Sequence, residues 1–296
     1  MRIFGFLGPN GAGKSTTIGV LCTLLRPSAG QVRVAGLDPT VDPDGVRRAI
    51  GIIFQDPSLD AQLTALENLA FHARVYHLPG EVWRPRAERL LRIVDLWDRR
   101  NDVVKTFSGD MKRRLEIARG LLHQPRVLFL DEPTIGLDPQ TREHIWSYLE
   151  QLRAETGTTL FLTTHYMDEA ERCDRIAIID HGQIVALDTP DGLKSRVGGD
   201  VITLRTRDNA RAAALIRERF ALDTAHLDGT LRLEVTDGEA FIPRLVAGLD
   251  VPIETISLRR PSLDDVFIRL TGRAMRDEEV SGIDRMRAHM RARWRR

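Results

Sequence analysis

The stretch that decides the fold is short and rich in glycine: Gly8-Pro9-Asn10-Gly11-Ala12-Gly13-Lys14-Ser15. Residues 2–7, which are mostly apolar, come directly before it and predict a short buried strand. The residues from Lys14 to about Leu25 predict a helix directly after it. A strand, a glycine-rich loop and a helix in this order form the architecture of a phosphate-binding site.

The pattern G-x-x-x-x-G-K-S in this context predicts contacts with the phosphates of a nucleotide. Glycines let backbone N–H groups close around phosphate oxygens, and the helix that begins at Lys14 directs its positive end toward them. We expect Lys14 to contact the β and γ phosphates and Ser15 to be a ligand of Mg²⁺. The candidate phosphate-binding residues are Gly8, Pro9, Asn10, Gly11, Ala12, Gly13, Lys14, Ser15 and Thr16.

Further apolar runs predict strands at residues 31–34, 51–54, 127–130, 159–162 and 176–179. Helical segments separate several of them, which favours an α/β domain with a mostly parallel sheet. Between about Pro57 and Gly120 the strand pattern gives way to helical stretches at 63–76, 83–96 and 109–122. We therefore predict a helical insertion in the sheet.

A second round of elements follows residue 198, with strands predicted at 201–206, 231–235 and 253–258 and helices at 210–220 and 240–249. The predicted organisation is a first domain at 1–198, a small α+β module at 199–272 with a hinge at Gly198-Gly199, and a basic tail at 273–296. The tail is interpreted either as a solvated end or as a segment that rests on anionic lipid head groups.

The amino-acid composition excludes several classes of protein. The chain has 296 residues, of which 42% are hydrophobic and 29% are charged, so it is an ordinary globular chain and not a disordered one. Lys and Arg number 43 against 42 Asp and Glu, and this balance argues against nucleic acid as the main partner. Two distant cysteines favour a reducing, cytosolic setting, and no apolar run predicts a membrane span or a conventional signal peptide.

A second motif, which is acidic, follows the predicted strand at 127–130. The apolar run leads into Asp131 and Glu132. A carboxylate at the carboxyl end of a strand can hold Mg²⁺, and a second carboxylate beside it can orient a water molecule.

Together these motifs resemble an ABC-type ATPase over residues 3 to 190. The matching elements, in the order and approximate spacing of that family, are residues 8–16, Gln55, 107–111, 128–132, 136–138 and His165. Residues 112–122, 131–142, 163–170 and 261–272 are also similar to the ATP-binding subunits of bacterial drug exporters of the daunorubicin-resistance type. The resemblance implies a P-loop NTPase core with a helical insertion, followed by the small α+β module.

The resemblance also implies roles for individual residues. Two copies would bind head to tail around two ATP molecules, with Ser108 and Gly109 of one chain completing the site of the other. Glu132, His165 and Gln55 would be catalytic, and Ser15, Gln55 and Asp131 would hold Mg²⁺. Asp138 would sense the opposite site across the dimer.

The implied function is ATP hydrolysis that powers efflux of a drug-like or other small molecule. The partner would be a separately encoded permease with about six membrane-spanning segments. Its cytoplasmic segment would bind the helices between residues 63 and 96, which places the chain in the cytoplasm on the inner face of the cell membrane. Two alternatives remain: a soluble ABC-type ATPase that acts on nucleic acid or the ribosome, and a nucleotide-binding regulatory module that does not hydrolyse ATP.

Two departures from the family pattern stand out. Met1 lies so close to Gly8 that we expect a leading strand and an adenine-stacking aromatic residue to be missing, either truly or because the start is misplaced. Asp110 stands where the family more often has a second glycine. We expect Asp110 to be harmless, with its carboxylate turned away from the phosphate or capping the helix.

Overall fold

A computed structural model describes residues 2–55, 58–227 and 229–272. The chain divides after Leu187 into two compact units. The predicted tail at 273–296, with its alternative lipid contact, lies outside the described residues, as does Pro57, where the helical insertion was expected to begin.

The first unit is built on a six-stranded sheet. Its strands are β1 (Ile3–Leu7), β2 (Ile50–Ile53), β3 (Val127–Asp131), β4 (Thr159–Thr164), β5 (Arg175–Asp180) and β6 (Gln183–Asp188). They lie in the order β2-β3-β4-β1-β5-β6, and the pairs from β2 through to β5 are parallel. Because both faces of such a sheet are covered, its central strands are nearly continuous apolar runs.

The first unit also contains seven described α-helices. They are α1 (Lys14–Leu21), α2 (Pro43–Ala49), α3 (Ala65–Val75), α4 (Gly80–Ile93), α5 (Gly109–Leu121), α6 (Pro139–Thr156) and α7 (Met167–Glu171). The helices α3, α4 and α5 form the predicted insertion between β2 and β3. Thr64 begins α3 with a capping box, in which its hydroxyl accepts from the Glu67 N–H and the Glu67 carboxylate accepts from the Thr64 N–H.

Two sequence-based predictions in this unit were wrong. Residues 31–34 form no strand, because Ala35 and Gly36 adopt left-handed φ angles of 54° and 87° and turn the chain back. Val34 forms only an isolated bridge with Leu37. The first helix ends at Leu21 and not at Leu25, because Thr23 is left-handed with φ of 65° and the Leu24 N–H donates back to Gly19 O over 2.8 Å.

The second unit is an antiparallel sheet with helices. Its strands are β7 (Asp200–Thr206), β8 (Ala225–Leu227), β9 (Thr230–Val235) and β10 (Ile253–Arg259), in the order β10-β7-β9-β8. Its helices are α8 (Pro190–Ser195), α9 (Asn209–Phe220), α10 (Gly238–Gly248) and α11 (Leu263–Thr271). Ile202, Leu204, Ile216 and Leu231 are buried in its core, and every element predicted for this module is present.

The division after Leu187 falls earlier than the expected boundary at residue 198. The reason is the short helix α8, which lies against α11 and contains the fully buried Leu193. The second unit therefore includes α8 as well as the predicted module.

Within the described ranges, no helix combines the length and the hydropathy that crossing a bilayer requires.

Candidate active site

The predicted site residues follow strands that are neighbours in the sheet. The glycine-rich loop follows β1, Asp131 ends β3, and His165 follows β4. The register places Asp131 beside Thr163 and Leu7 beside Thr164. Since these strands are parallel, their carboxyl ends meet at one edge of the sheet, where open α/β folds bind ligands.

The glycine-rich loop requires glycine for two different reasons, backbone conformation and close packing. Gly11 and Gly13 are left-handed, with φ angles of 81° and 106°, and a Cβ on Gly8 would lie 2.5 Å from Ile179 O. The helix α1 begins after Gly13, a residue that has no side chain with which to cap the helix N-terminus. A phosphate group fits such a helix end, because the first N–H groups can donate to its oxygens. The loop therefore fits the predicted nucleotide phosphates.

Lys14 is buried at the mouth of this loop, with only 5% of it exposed. Its ammonium group donates to Gly8 O over 2.7 Å and to Pro9 O over 3.2 Å. It also lies 3.2 Å from Glu132 Oε1. The structure therefore joins the predicted phosphate-binding lysine directly to the predicted catalytic carboxylate.

Glu132 is in contact with both Lys14 and His165, whose Nδ1 lies 3.4 Å from the same Oε1 atom. Burial opposes ionisation of Glu132, but the His165 hydrogen bond and the Lys14 charge outweigh it, so the pKa of Glu132 lies below the ordinary glutamate value. Glu132 also has a left-handed φ of 47°. Such a conformation costs energy in a residue with a Cβ and is found where surrounding contacts hold it, often at functional sites.

Thr163, which was not predicted as a site residue, contacts both Asp131 and Glu132. Its hydroxyl donates to Asp131 Oδ1 over 2.6 Å and accepts from the Glu132 N–H over 3.0 Å. The only sequence signal for it is its place two residues before His165, at the end of the predicted strand. The hydroxyl fixes the Asp131 carboxylate and the Glu132 backbone together.

The residues expected to hold Mg²⁺ differ in their surroundings. Asp131 is oriented by Thr163, and Ser15 is exposed in the first turn of α1. Gln55 lies exposed after β2. No group of three metal-binding side chains stands together in the described ranges. One carboxylate and one hydroxyl suit Mg²⁺, which is usually bound by few protein ligands together with water and substrate phosphates.

Ser108 and Gly109 lie exposed at the N-terminus of α5. The Ser108 hydroxyl accepts from the Met111 N–H over 3.2 Å, so its own proton remains available to donate. A Cβ on Gly109 would meet no atom within 4 Å. The described residues show no contact of this segment with Lys14 or Glu132 of the same chain.

Asp110, the departure in this segment, has a partner within its own helix. Arg114 Nη2 lies 2.8 Å from Asp110 Oδ2. The Arg114 guanidinium also donates to Val94 O over 2.8 Å and lies over the Tyr148 ring. The Asp110 carboxylate is therefore turned along the helix and paired with a cation.

Asp138 is the N-cap of α6. Its carboxylate accepts from the N–H groups of Gln140 and Thr141 and from the Thr141 hydroxyl, over 2.6 to 3.1 Å. The Thr141 hydroxyl and these N–H groups lower the pKa of Asp138. The run Asp-Pro-x-Thr at 138–141 is a typical start of a helix, so this role could have been predicted from the sequence.

Two family models match separate parts of the chain. The ABC transporter model matches residues 1–135, and the model of the C-terminal domain of DrrA1-3-like ATP-binding proteins matches residues 189–271.

Daunorubicin resistance ATP-binding protein DrrA2 of Streptomyces coeruleorubidus is 43% identical over 94% of this chain and 89% of its own length. Linearmycin resistance ATP-binding protein LnrL of Bacillus subtilis is 39% identical over 93% of this chain and 91% of its own. Nod factor export ATP-binding protein I of Burkholderia orbicola is 40% identical over 93% of this chain and 89% of its own length.

Solved structures match about two thirds of this chain. CbiO1 of Clostridium perfringens, described as part of an ABC transporter complex, is 30% identical with a TM-score of 0.61 over 66% of this chain and 79% of its own. A dimeric ATP-binding cassette bound to ADP and Pi is 31% identical with a TM-score of 0.56, over 64% and 85% of the two chains.

Proposed function

Since the chain belongs to the family of ATP-binding subunits of ABC transporters, we propose that it hydrolyses ATP to power export of a drug-like small molecule through a separate permease. The family and the P-loop NTPase fold predicted from the motifs are confirmed by the comparisons. The relatives reported above are named for drug resistance or for export. None of them is named for action on nucleic acid or the ribosome.

One observation carries the proposed chemistry: Lys14, Glu132 and His165 meet around a single carboxylate oxygen at the phosphate loop. Lys14 and the N–H groups of α1 would bind the phosphates. Glu132, which is a carboxylate near neutral pH, would orient the attacking water and accept its proton. His165 would hold the Glu132 carboxylate and contact the γ phosphate.

Mg²⁺ would be held by Ser15, Asp131 and Gln55, and it would neutralise charge that develops on the phosphate oxygens. Thr163 supports this role because it orients the Asp131 carboxylate. Gln55 is exposed and would join the site only when ATP is bound.

We further propose that two copies of the chain complete each other's sites. Ser108 and Gly109 lie exposed at a helix N-terminus, where hydroxyl and N–H groups can donate to a γ phosphate. A second copy would bring them to the loop at Gly8 to Thr16. Asp138, as the cap of α6, would transmit the state of one site to the other.

The permease would bind the helical insertion on the inner face of the membrane. Phe71 and Val75 lie one turn apart on α3, with 63% and 57% exposed. Exposed apolar side chains at this spacing suit contact with a short amphipathic segment of a partner. Membranes from the native cells should retain the wild-type chain and lose the Phe71→Ser variant, whereas Ile268→Ser on α11 should be retained. Equal retention of both variants would argue against this surface.

The experiment that tests ATP-dependent pairing is the mass in solution of the Glu132→Gln variant. This change should stop hydrolysis while leaving the ATP-binding residues in place. We expect a monomer without nucleotide and a dimer with Mg-ATP. The same variant with Lys14→Ala should remain a monomer, because the cation that contacts the phosphates is gone. If Glu132→Gln binds ATP and stays a monomer, the proposed pairing is wrong.

A further inference from the structure

One buried arginine connects three parts of the first unit that the proposed mechanism uses. Arg113 lies in the second turn of α5 and is 6% exposed. Its Nε donates to Pro133 O over 2.8 Å, and its Nη1 donates to Phe54 O over 2.7 Å. Pro133 follows Glu132, and Phe54 precedes Gln55. A single side chain on α5 therefore holds the backbone next to two predicted catalytic residues.

The same guanidinium also faces the strained residue itself. Arg113 Nη2 lies 3.5 Å from both Asp131 O and Glu132 O. Thr163 holds the Glu132 N–H from the other side. A left-handed glutamate persists only when contacts on both sides fix its backbone, and these two residues supply them.

The charge of Arg113 is balanced by the Glu116 carboxylate, which also binds the backbone of Ser58. Glu116, which is 1% exposed, lies 3.3 Å from Arg113 Nη1 and accepts from the Ser58 N–H over 2.6 Å. Arg119 donates to Ser58 O over 2.8 Å. The backbones of Phe54, which directly precedes Gln55, and of Ser58 are thus both bound to side chains of α5.

We propose that Arg113 is a positioning residue that sets Glu132 and Gln55 relative to the Ser108–Gly109 end of α5. This inference rests on the proposed function, in which the start of α5 contacts the ATP of the partner copy. In such a dimer, each chain contributes the start of α5 to one ATP site and Glu132 and Gln55 to the other. A shift of α5 at the first site would then move Glu132 and Gln55 at the second. A planar guanidinium is required because its donors point in fixed, separate directions, whereas a lysine ammonium is a single point charge.

The test compares Arg113→Lys with wild type and with Arg89→Lys, in which the replaced arginine pairs with Glu155 away from the site. Three quantities are measured: the rate of ATP hydrolysis at saturation, the dissociation constant for ATP without Mg²⁺, and the melting temperature. We expect Arg113→Lys to lower kcat at least about tenfold, while the ATP dissociation constant stays within about threefold of wild type. In the Glu132→Gln background, the ATP-dependent dimer should still form. Arg89→Lys should match wild type.

A second variant keeps the test decisive if Arg113→Lys does not fold. Replacing Arg113 and Glu116 together by glutamine removes both charges of this buried pair. Arg119, which lies 3.8 Å from Glu116 Oε1, loses that carboxylate but keeps its hydrogen bonds to Ser58. The same loss of kcat at nearly unchanged ATP affinity is expected. The inference is wrong if Arg113→Lys hydrolyses ATP within about threefold of wild type, or if kcat, ATP affinity and melting temperature fall together. If the wild-type chain neither hydrolyses ATP nor forms a dimer, the proposed function is wrong, and this inference, which rests on it, is wrong as well.

Discussion

Thr163 and Asp131 stand opposite each other on β4 and β3, and the hydroxyl of the first donates to the carboxylate of the second over 2.6 Å. The same hydroxyl accepts the Glu132 N–H. The two acids of the site therefore depend on one neutral side chain from the neighbouring strand, and that dependence can be tested.

Replacing Thr163 by valine keeps the shape of the side chain and removes the hydroxyl. The Asp131 carboxylate then loses its donor and the Glu132 N–H loses its acceptor in a partly buried place, which costs about 1–3 kcal/mol for each buried group left unpaired. We expect kcat of ATP hydrolysis to fall about tenfold or more. Thr159→Val, at the other end of β4, is the control, and an equal loss in both variants would show a general effect on the strand.

His165→Ala should slow hydrolysis much more than it weakens ATP binding. Because the His165 hydrogen bond lowers the pKa of Glu132, its removal should raise that pKa and move the acid limb of the kcat profile to higher pH. Steady-state rates across pH and an ATP binding isotherm measure both effects. Equal losses in rate and binding, with an unmoved acid limb, would indicate that His165 is only structural.

Asp110→Gly should change the hydrolysis rate less than about tenfold, because Arg114 already pairs with the Asp110 carboxylate. Arg114→Ala should lower the rate more, since it leaves that carboxylate without its cation near the place where a phosphate is expected. In the double variant, Asp110→Gly should restore part of the loss. A rise of tenfold or more in Asp110→Gly alone would mean that the carboxylate opposes catalysis.

Ser262→Ala should destabilise the second unit without altering ATP binding. Ser262 and Asp265 form the capping box of α11, and loss of such a cap costs about 1 kcal/mol. Although partial burial opposes ionisation of Asp265, hydrogen bonds from Ser262 and the charge of Arg259 lower its pKa. Its contribution to stability is therefore present above the unfolded-state value of 3.8 and is lost as the pH falls through the lower folded-state pKa.

Thermal melts of Ser262→Ala and of Ser257→Ala, an exposed serine on β10, measure this effect. Only Ser262→Ala should melt at a lower temperature. The difference between the two variants should shrink as the pH approaches the folded-state pKa of Asp265. A difference that stays constant with pH would assign the stability to the Ser262 hydroxyl alone.

The parts of the site that the sequence predicts are those whose signal is local. Glycines at fixed spacing, an apolar strand before Asp131 and a serine at the start of α5 each specify their own backbone. Arg113 and Thr163 escape this reasoning because their partners, Phe54 and Asp131, are brought close only by the folded sheet and helix. The strand predicted at 31–34 failed for the opposite reason, since the local turn at Ala35 and Gly36 overrides the apolar pattern.

The position of α8 determines where the chain can be cut. A fragment that ends at residue 198 would carry Pro190–Ser195 away from α11 and leave the fully buried Leu193 uncovered. Such an apolar residue on a loose end favours aggregation. A fragment that ends at Leu187 leaves that helix with its own unit, and it is the version to express for crystals or spectra of the nucleotide site alone.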